Sequence, residues 1–212
     1  MAKPAPDIDD IFRQARHLLN QGGEDALSMR QLAKRAGCSP MSLYNHIGRR
    51  EELLEGVVYR FFANIDVDAN IPNEGSWQEK AFFWATQLHH AYLENPGIVS
   101  ILKPGSRWPV STTISSKLHS ILLDGGFDNT MAISLCRTLF WQVTALSALE
   151  ALARPSGQLR THPEHATYHT RLASTHTREM TSEIFEYTLA SIIDSVSEEL
   201  HRGTLPSALR HE

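Results

Sequence analysis

Residues 27–50 read LSMRQLAKRAGCSPMSLYNHIGRR. The stretch holds five basic residues (Arg30, Lys34, Arg35, Arg49 and Arg50) and no acidic one, in a chain of net charge −4. Its spacing predicts two short helices joined at a glycine. Ser28 can cap a helix over residues 29–36, because a serine oxygen accepts the early N–H groups that no helical carbonyl reaches. Gly37 suits the turn, where a positive φ is least costly without a Cβ. Ser39 caps the next helix, and Pro40 takes its first position, where a missing N–H does no harm. Gly48 ends it. Leu43 and Ile47 are four residues apart, share a face, and can pack on Leu32, Ala33 and Ala36. That leaves Pro40, Met41, Ser42, Tyr44, Asn45 and His46 facing outward. A helix locked on one face, polar on the other and flanked by cations is the pattern of a helix-turn-helix that enters a DNA groove. Ser42, Asn45 and His46 can hydrogen-bond base edges or phosphate, and Met41 can touch a thymine methyl. Tyr44 and Arg50 suit the DNA backbone. An ordinary helical hairpin with a solvated basic face shares this outline.

Outward from this stretch the whole chain reads as all-α. Ile8, Ile11, Phe12, Ala15, Leu18 and Leu19 form one apolar helical stripe, stopped by Gly22-Gly23. A fourth helix starts near Arg49 and runs through Leu53, Leu54, Val57 and Phe61. Residues 64–76 are polar and hold Pro72 and Gly75, so the domain junction is expected there, between domains 1–62 and 63–212. Beyond it, helices are predicted over residues 77–94, 98–103, 109–123, 129–153 and about 168–201, nine or ten in all. Residues 129–153 are apolar nearly all round, which predicts a helix buried on most sides. Residues 1–60 hold nine Lys and Arg against eight Asp and Glu, and the remainder eleven against sixteen. The positive charge is therefore local to the reading segment, while the bulk is acidic.

Several classes fall away. No run of about 18 apolar residues marks a membrane span. The start of the chain lacks a secretory signal, and Cys38 and Cys136 form no disulfide framework, so a reducing, cytoplasmic setting is expected. There is no HExxH, no GxSxG and no phosphate loop, so neither an enzyme nor a cofactor is expected.

Residues 8–62 resemble the N-terminal domain of the tetracycline-repressor (TetR) family. The resemblance is carried by Ser28-Met29-Arg30-x-Leu32-Ala33-x-x-Ala36-Gly37-Cys38-Ser39, by Leu43-Tyr44-x-His46-Ile47, and by Arg50-x-Glu52-Leu53-Leu54. It implies DNA contacts from Arg30, Pro40, Met41, Ser42, Tyr44 and His46, with a phosphate contact from Arg50; Ser39 and Asn45 complete the expected set. Cys38 stands where the family usually has Val or Ile. Trp77, Asn95-Pro96 and Gly125-Gly126-Phe127 are similar to landmarks of the family's ligand-binding and dimerisation domain.

The resemblance implies a homodimer on a palindromic double-stranded operator, repressing until a small-molecule effector binds. Candidate effector residues are Phe83, His89, Tyr92, Trp108, Phe140 and Trp141, with Arg137 and Glu150 as polar anchors. Phe185, Leu189, Ile192 and Val196 step by 4, 3 and 4. Such a stripe packs on a second copy or on the chain's own core, leaving Ile184, Ile193 and Leu200 for the other. The resemblance implies a dimer seam there. His162, His165, His169 and His176 could share one helix face and hold Zn2+ or Ni2+, which would make a metal-responsive regulator. No carboxylate cluster completes that site, and no metal is assigned. A DNA-binding protein without any effector is the remaining alternative.

Overall fold

The computed structural model describes residues 7–65, 71–102, 114–153 and 178–202. Among the described residues there are nine α-helices and no strand, as expected: α1 (Ile8–Gly22), α2 (Met29–Arg35), α3 (Pro40–Ile47), α4 (Arg50–Ala63), α5 (Trp77–Glu94), α6 (Pro96–Val99), α7 (Ile114–Asp124), α8 (Asn129–Ala153) and α9 (Arg178–Arg202). Trp108 and the four histidines 162, 165, 169 and 176 lie outside the described residues. The described residues hold no cluster of metal-ligating side chains.

The chain forms two compact units. The first comprises residues 1–66 together with residues 94–116. Its core is built from Ile11, Phe12, Ala15, Leu18 and Leu19 of α1, Leu32 and Ala33 of α2, Leu43 of α3, and Leu53, Leu54, Val57, Val58, Phe61 and Phe62 of α4. Ile8, expected on the same stripe, is exposed at the helix start. Asp7 caps α1 by accepting the Asp9 N–H. A short 3-10 turn, Glu24–Ala26, follows the helix. α6 docks on α1 through Gly97, whose N–H donates to Asn20 Oδ1 at 3.0 Å.

The second unit comprises residues 67–93 and 117–212. Its described core joins Ala81, Trp84, Ala85, Leu88 and Tyr92 of α5, Leu118, Ile121 and Leu122 of α7, Met131, Leu135, Leu139, Phe140 and Val143 of α8, and Phe185, Leu189 and Ile193 of α9. Trp77 meets Phe127 edge to face. α8 is less enclosed than its composition suggests: Ile133, Trp141 and Leu149 are exposed. By length and composition α8 could cross a membrane. One of its faces instead packs into this helical core.

Cys136 is buried on α8, and burial pushes its thiol up to about 11. The folded state thus favours the neutral thiol. Its contribution to stability is whole below the ordinary cysteine range and is lost as pH rises toward 11. Alkylation at neutral to mildly basic pH should be slower in the folded chain than in urea by about two orders of magnitude. Peptide mass spectrometry reads this directly, and equal rates would show an accessible thiolate.

Candidate nucleic-acid interface

The reading head is set by caps and one left-handed residue. Ser28 Oγ accepts the Gln31 N–H at 3.1 Å and starts α2. The helix stops at Gly37, whose φ of 66° is the left-handed conformation the turn demands. The next N–H, of Cys38, reaches back to the Ala33 carbonyl at 3.0 Å and closes the turn. Cys38 itself is half-buried. Ser39 Oγ then accepts the Ser42 N–H at 3.1 Å, so α3 leaves the turn in a fixed direction. Leu43 is wholly buried beside Leu32 and Ala33 in this core, and Ile47 is half-buried. Burying Leu43 stabilises this crossing by about 1.5–3 kcal/mol.

The opposite side of α3 is open. Met41 is 69% exposed and Tyr44 46%. Ser39, Pro40, Asn45 and His46 are exposed beside them, and Ser42 is half-buried. Arg30 is exposed at the first turn of α2. Two of the expected residues carry local duties as well. The Ser39 oxygen is occupied as a cap. The Arg50 guanidinium is held by Glu24, Nη1 donating to Oε1 at 2.8 Å and Nη2 to the backbone carbonyl at 3.1 Å. Glu24 lies 26 residues upstream, and no local sequence signal announces the contact. Glu52 accepts the Arg49 N–H and anchors the start of α4.

In the second unit the candidate effector residues divide. His89, Tyr92, Phe140 and Glu150 are buried, Phe83 is half-buried, and Arg137 and Trp141 face outward. α5 and α8 share a buried polar seam. His89 Nδ1 lies 2.8 Å from Ser147 Oγ, and Nε2 lies 3.2 Å from Glu150 Oε2, close enough for an ion pair when the imidazole is protonated. The Phe185 ring stacks on His89, with centroids 3.9 Å apart. One turn along, Tyr92 Oη meets Thr144 Oγ1 at 3.1 Å. Burial pushes the Tyr92 hydroxyl far up, and Thr144 offsets only part of this, so the phenol stays neutral. Ser147 and Thr144 escape a reading of sequence because serines and threonines in helices routinely donate to the carbonyl one turn earlier, as both do here to Val143 and Phe140. A cleft of about 510 Å³ opens elsewhere in this unit, among Trp77, Lys80, Lys117, Ser120, Ile121 and Asp124, and no candidate effector residue lines it.

The expected dimer stripe also divides. Phe185 and Leu189 are buried within the chain itself, and Ile192 and Val196 are half-buried. Phe185 stacks on His89 of the same chain. Among the described residues, the large apolar side chains that α9 leaves exposed are Ile184 and Tyr187.

Residues 11–57 match the family model of bacterial regulatory proteins, tetR family. Over that segment the chain is similar to the TetR family. A TetR family protein of Streptomyces coelicolor, ActR, solved in complex with actinorhodin, is 25% identical, with a TM-score of 0.67 over 96% of this chain and 99% of that one. TetR of Acinetobacter baumannii AYE, solved as a variant with minocycline, shares the fold at 19% identity, with a TM-score of 0.71 over 97% of this chain and 99% of that one. Among curated proteins, an HTH-type transcriptional regulator of Saccharopolyspora erythraea is 28% identical over 94 residues, 44% of this chain. That match spans 39% of the relative's length. The family match covers α1 from Ile11 to Val57 of α4, which is the part that holds the reading head.

Proposed function

We propose that this chain is a TetR-family regulator, a dimeric cytoplasmic repressor that grips a palindromic operator with α3 and lets go when a small molecule binds its second unit. The exposed row on α3, from Ser39 to His46 above a wholly buried Leu43, carries the reading. One such helix reaches few bases, so a specific site needs two, about 34–36 Å apart. A two-fold dimer supplies them. Bare apolar side chains support it: Leu149 on α8, and Ile184 and Tyr187 on α9, are 60%, 43% and 76% exposed. These replace Phe185 and Leu189 as the proposed seam, with Ile192 and Val196 beside them. The bound minocycline and actinorhodin of two structural relatives support a small-molecule trigger. In this chain the His89–Glu150 and Tyr92–Thr144 seam offers the polar anchors. A ligand that binds the released arrangement better by a few kcal/mol shifts the population away from DNA.

The test is a selection of genomic fragments on the purified chain. Enrichment of one inverted repeat, with half-sites a helical turn or its multiple apart, is expected. Recovery of fragments without a shared motif would end the reading. Compounds made or exported by genes beside the repeat are then the trial effectors.

A further inference from the structure

Four of the five cations in the reading segment, Arg30, Lys34, Arg35 and Arg49, are exposed and form no ion pair among the described residues. Arg50 differs. One residue, Glu24, clasps it twice, by carboxylate and by backbone carbonyl. The Arg50 side chain is nonetheless 36% exposed. A guanidinium has five N–H donors, so donors remain for a phosphate oxygen. What Glu24 removes is charge, since its carboxylate cancels the field that would draw the phosphate in.

The geometry points to Glu24 as a built-in competitor for Arg50, which lowers the sequence-independent part of DNA binding. Affinity for any duplex grows with each phosphate neutralised, while base contacts alone discriminate. A head with five bare cations would bind unrelated DNA more tightly and gain no discrimination. Glu24 holds the guanidinium in position and keeps one charge out of that count. The inference rests on the proposed DNA contact of Arg50 and adds the residue that restrains it.

A double-mutant cycle tests it on a labelled random-sequence duplex across a salt series. Glu24→Gln keeps a hydrogen-bonding oxygen and the backbone clasp but removes the charge. It should tighten binding about fivefold at low salt. The log–log salt dependence should steepen by about 0.9 for each Arg50 released. In an Arg50→Met background the same Gln substitution should change neither quantity. A structural role for Glu24 would leave the salt slope alone, and that result overturns the inference. So does an equal tightening in the Arg50→Met background, which would mark a general charge effect. If Arg50→Met by itself alters neither affinity nor slope, the phosphate contact is refuted and the inference falls with it. An operator-selection failure is separate, because the random duplex needs no specific site. Thermal melts establish that each variant is folded.

Discussion

Replacing Tyr44 by alanine is expected to weaken operator binding by about 10²- to 10⁴-fold and to leave unfolding unchanged. Tyr44 is 46% exposed on the outer side of α3, one residue from Leu43, which locks that helix. Its hydroxyl is free to meet the DNA backbone, and a hydrogen bond to a charged group contributes about 1.5–3 kcal/mol. The proposed dimer presents the residue twice, so the loss doubles to about 3–6 kcal/mol. Exposed substitutions usually move stability by less than about 0.5 kcal/mol, and alanine is the better helix former. Fluorescence anisotropy on the selected operator reads the first effect and circular-dichroism melts the second. An intact, folded dimer with undiminished affinity would remove α3 as the reading helix.

The reading head was legible because its signals are local. The caps at Ser28 and Ser39, the turn at Gly37 and the Leu43–Ile47 face each lie within a few residues of what they control. The helical period likewise located α1, α5 and α8. What stayed hidden depends on partners far along the chain. Glu24 meets Arg50 across 26 residues, and Gly97 meets Asn20 across 77. Periodicity names a buried face but not what buries it. Phe185 and Leu189 have the spacing of a dimer seam, yet both are buried within the single chain, Phe185 stacked on His89. Composition misleads in the same way at α8. Its apolar residues nearly all round suggest burial on most sides, while Ile133, Trp141 and Leu149 are exposed. Among the candidate effector residues, His89 and Glu150 were found in sequence, but their pairing belongs to the antiparallel meeting of α5 and α8.

Gly97→Ala sets two opposing effects against each other. Alanine in a helix is favoured over glycine by about 0.5–1 kcal/mol, so propensity alone predicts a more stable protein. Space predicts the reverse. A Cβ on Gly97 would lie 2.2 Å from the Leu19 carbonyl carbon, 2.4 Å from its oxygen and 2.5 Å from the Asn20 nitrogen. All three are main-chain atoms of α1, and no rotamer change can move them aside. Overpacking costs about 1–3 kcal/mol where side chains can give way, so the upper end applies where they cannot. The net expectation is a loss of about 2 kcal/mol, or roughly 4–8 °C in Tm for a chain of this size. Asn20→Ala, which removes the acceptor of the Gly97 N–H, should cost about 1 kcal/mol alone. Added to Gly97→Ala it should cost almost nothing, because α6 will already have lifted from α1, and residues sharing one contact do not add. Additive losses in urea melts would show that α6 stays docked in the Gly97→Ala chain. A rise in stability on Gly97→Ala would show that α6 is not pressed against α1 at all.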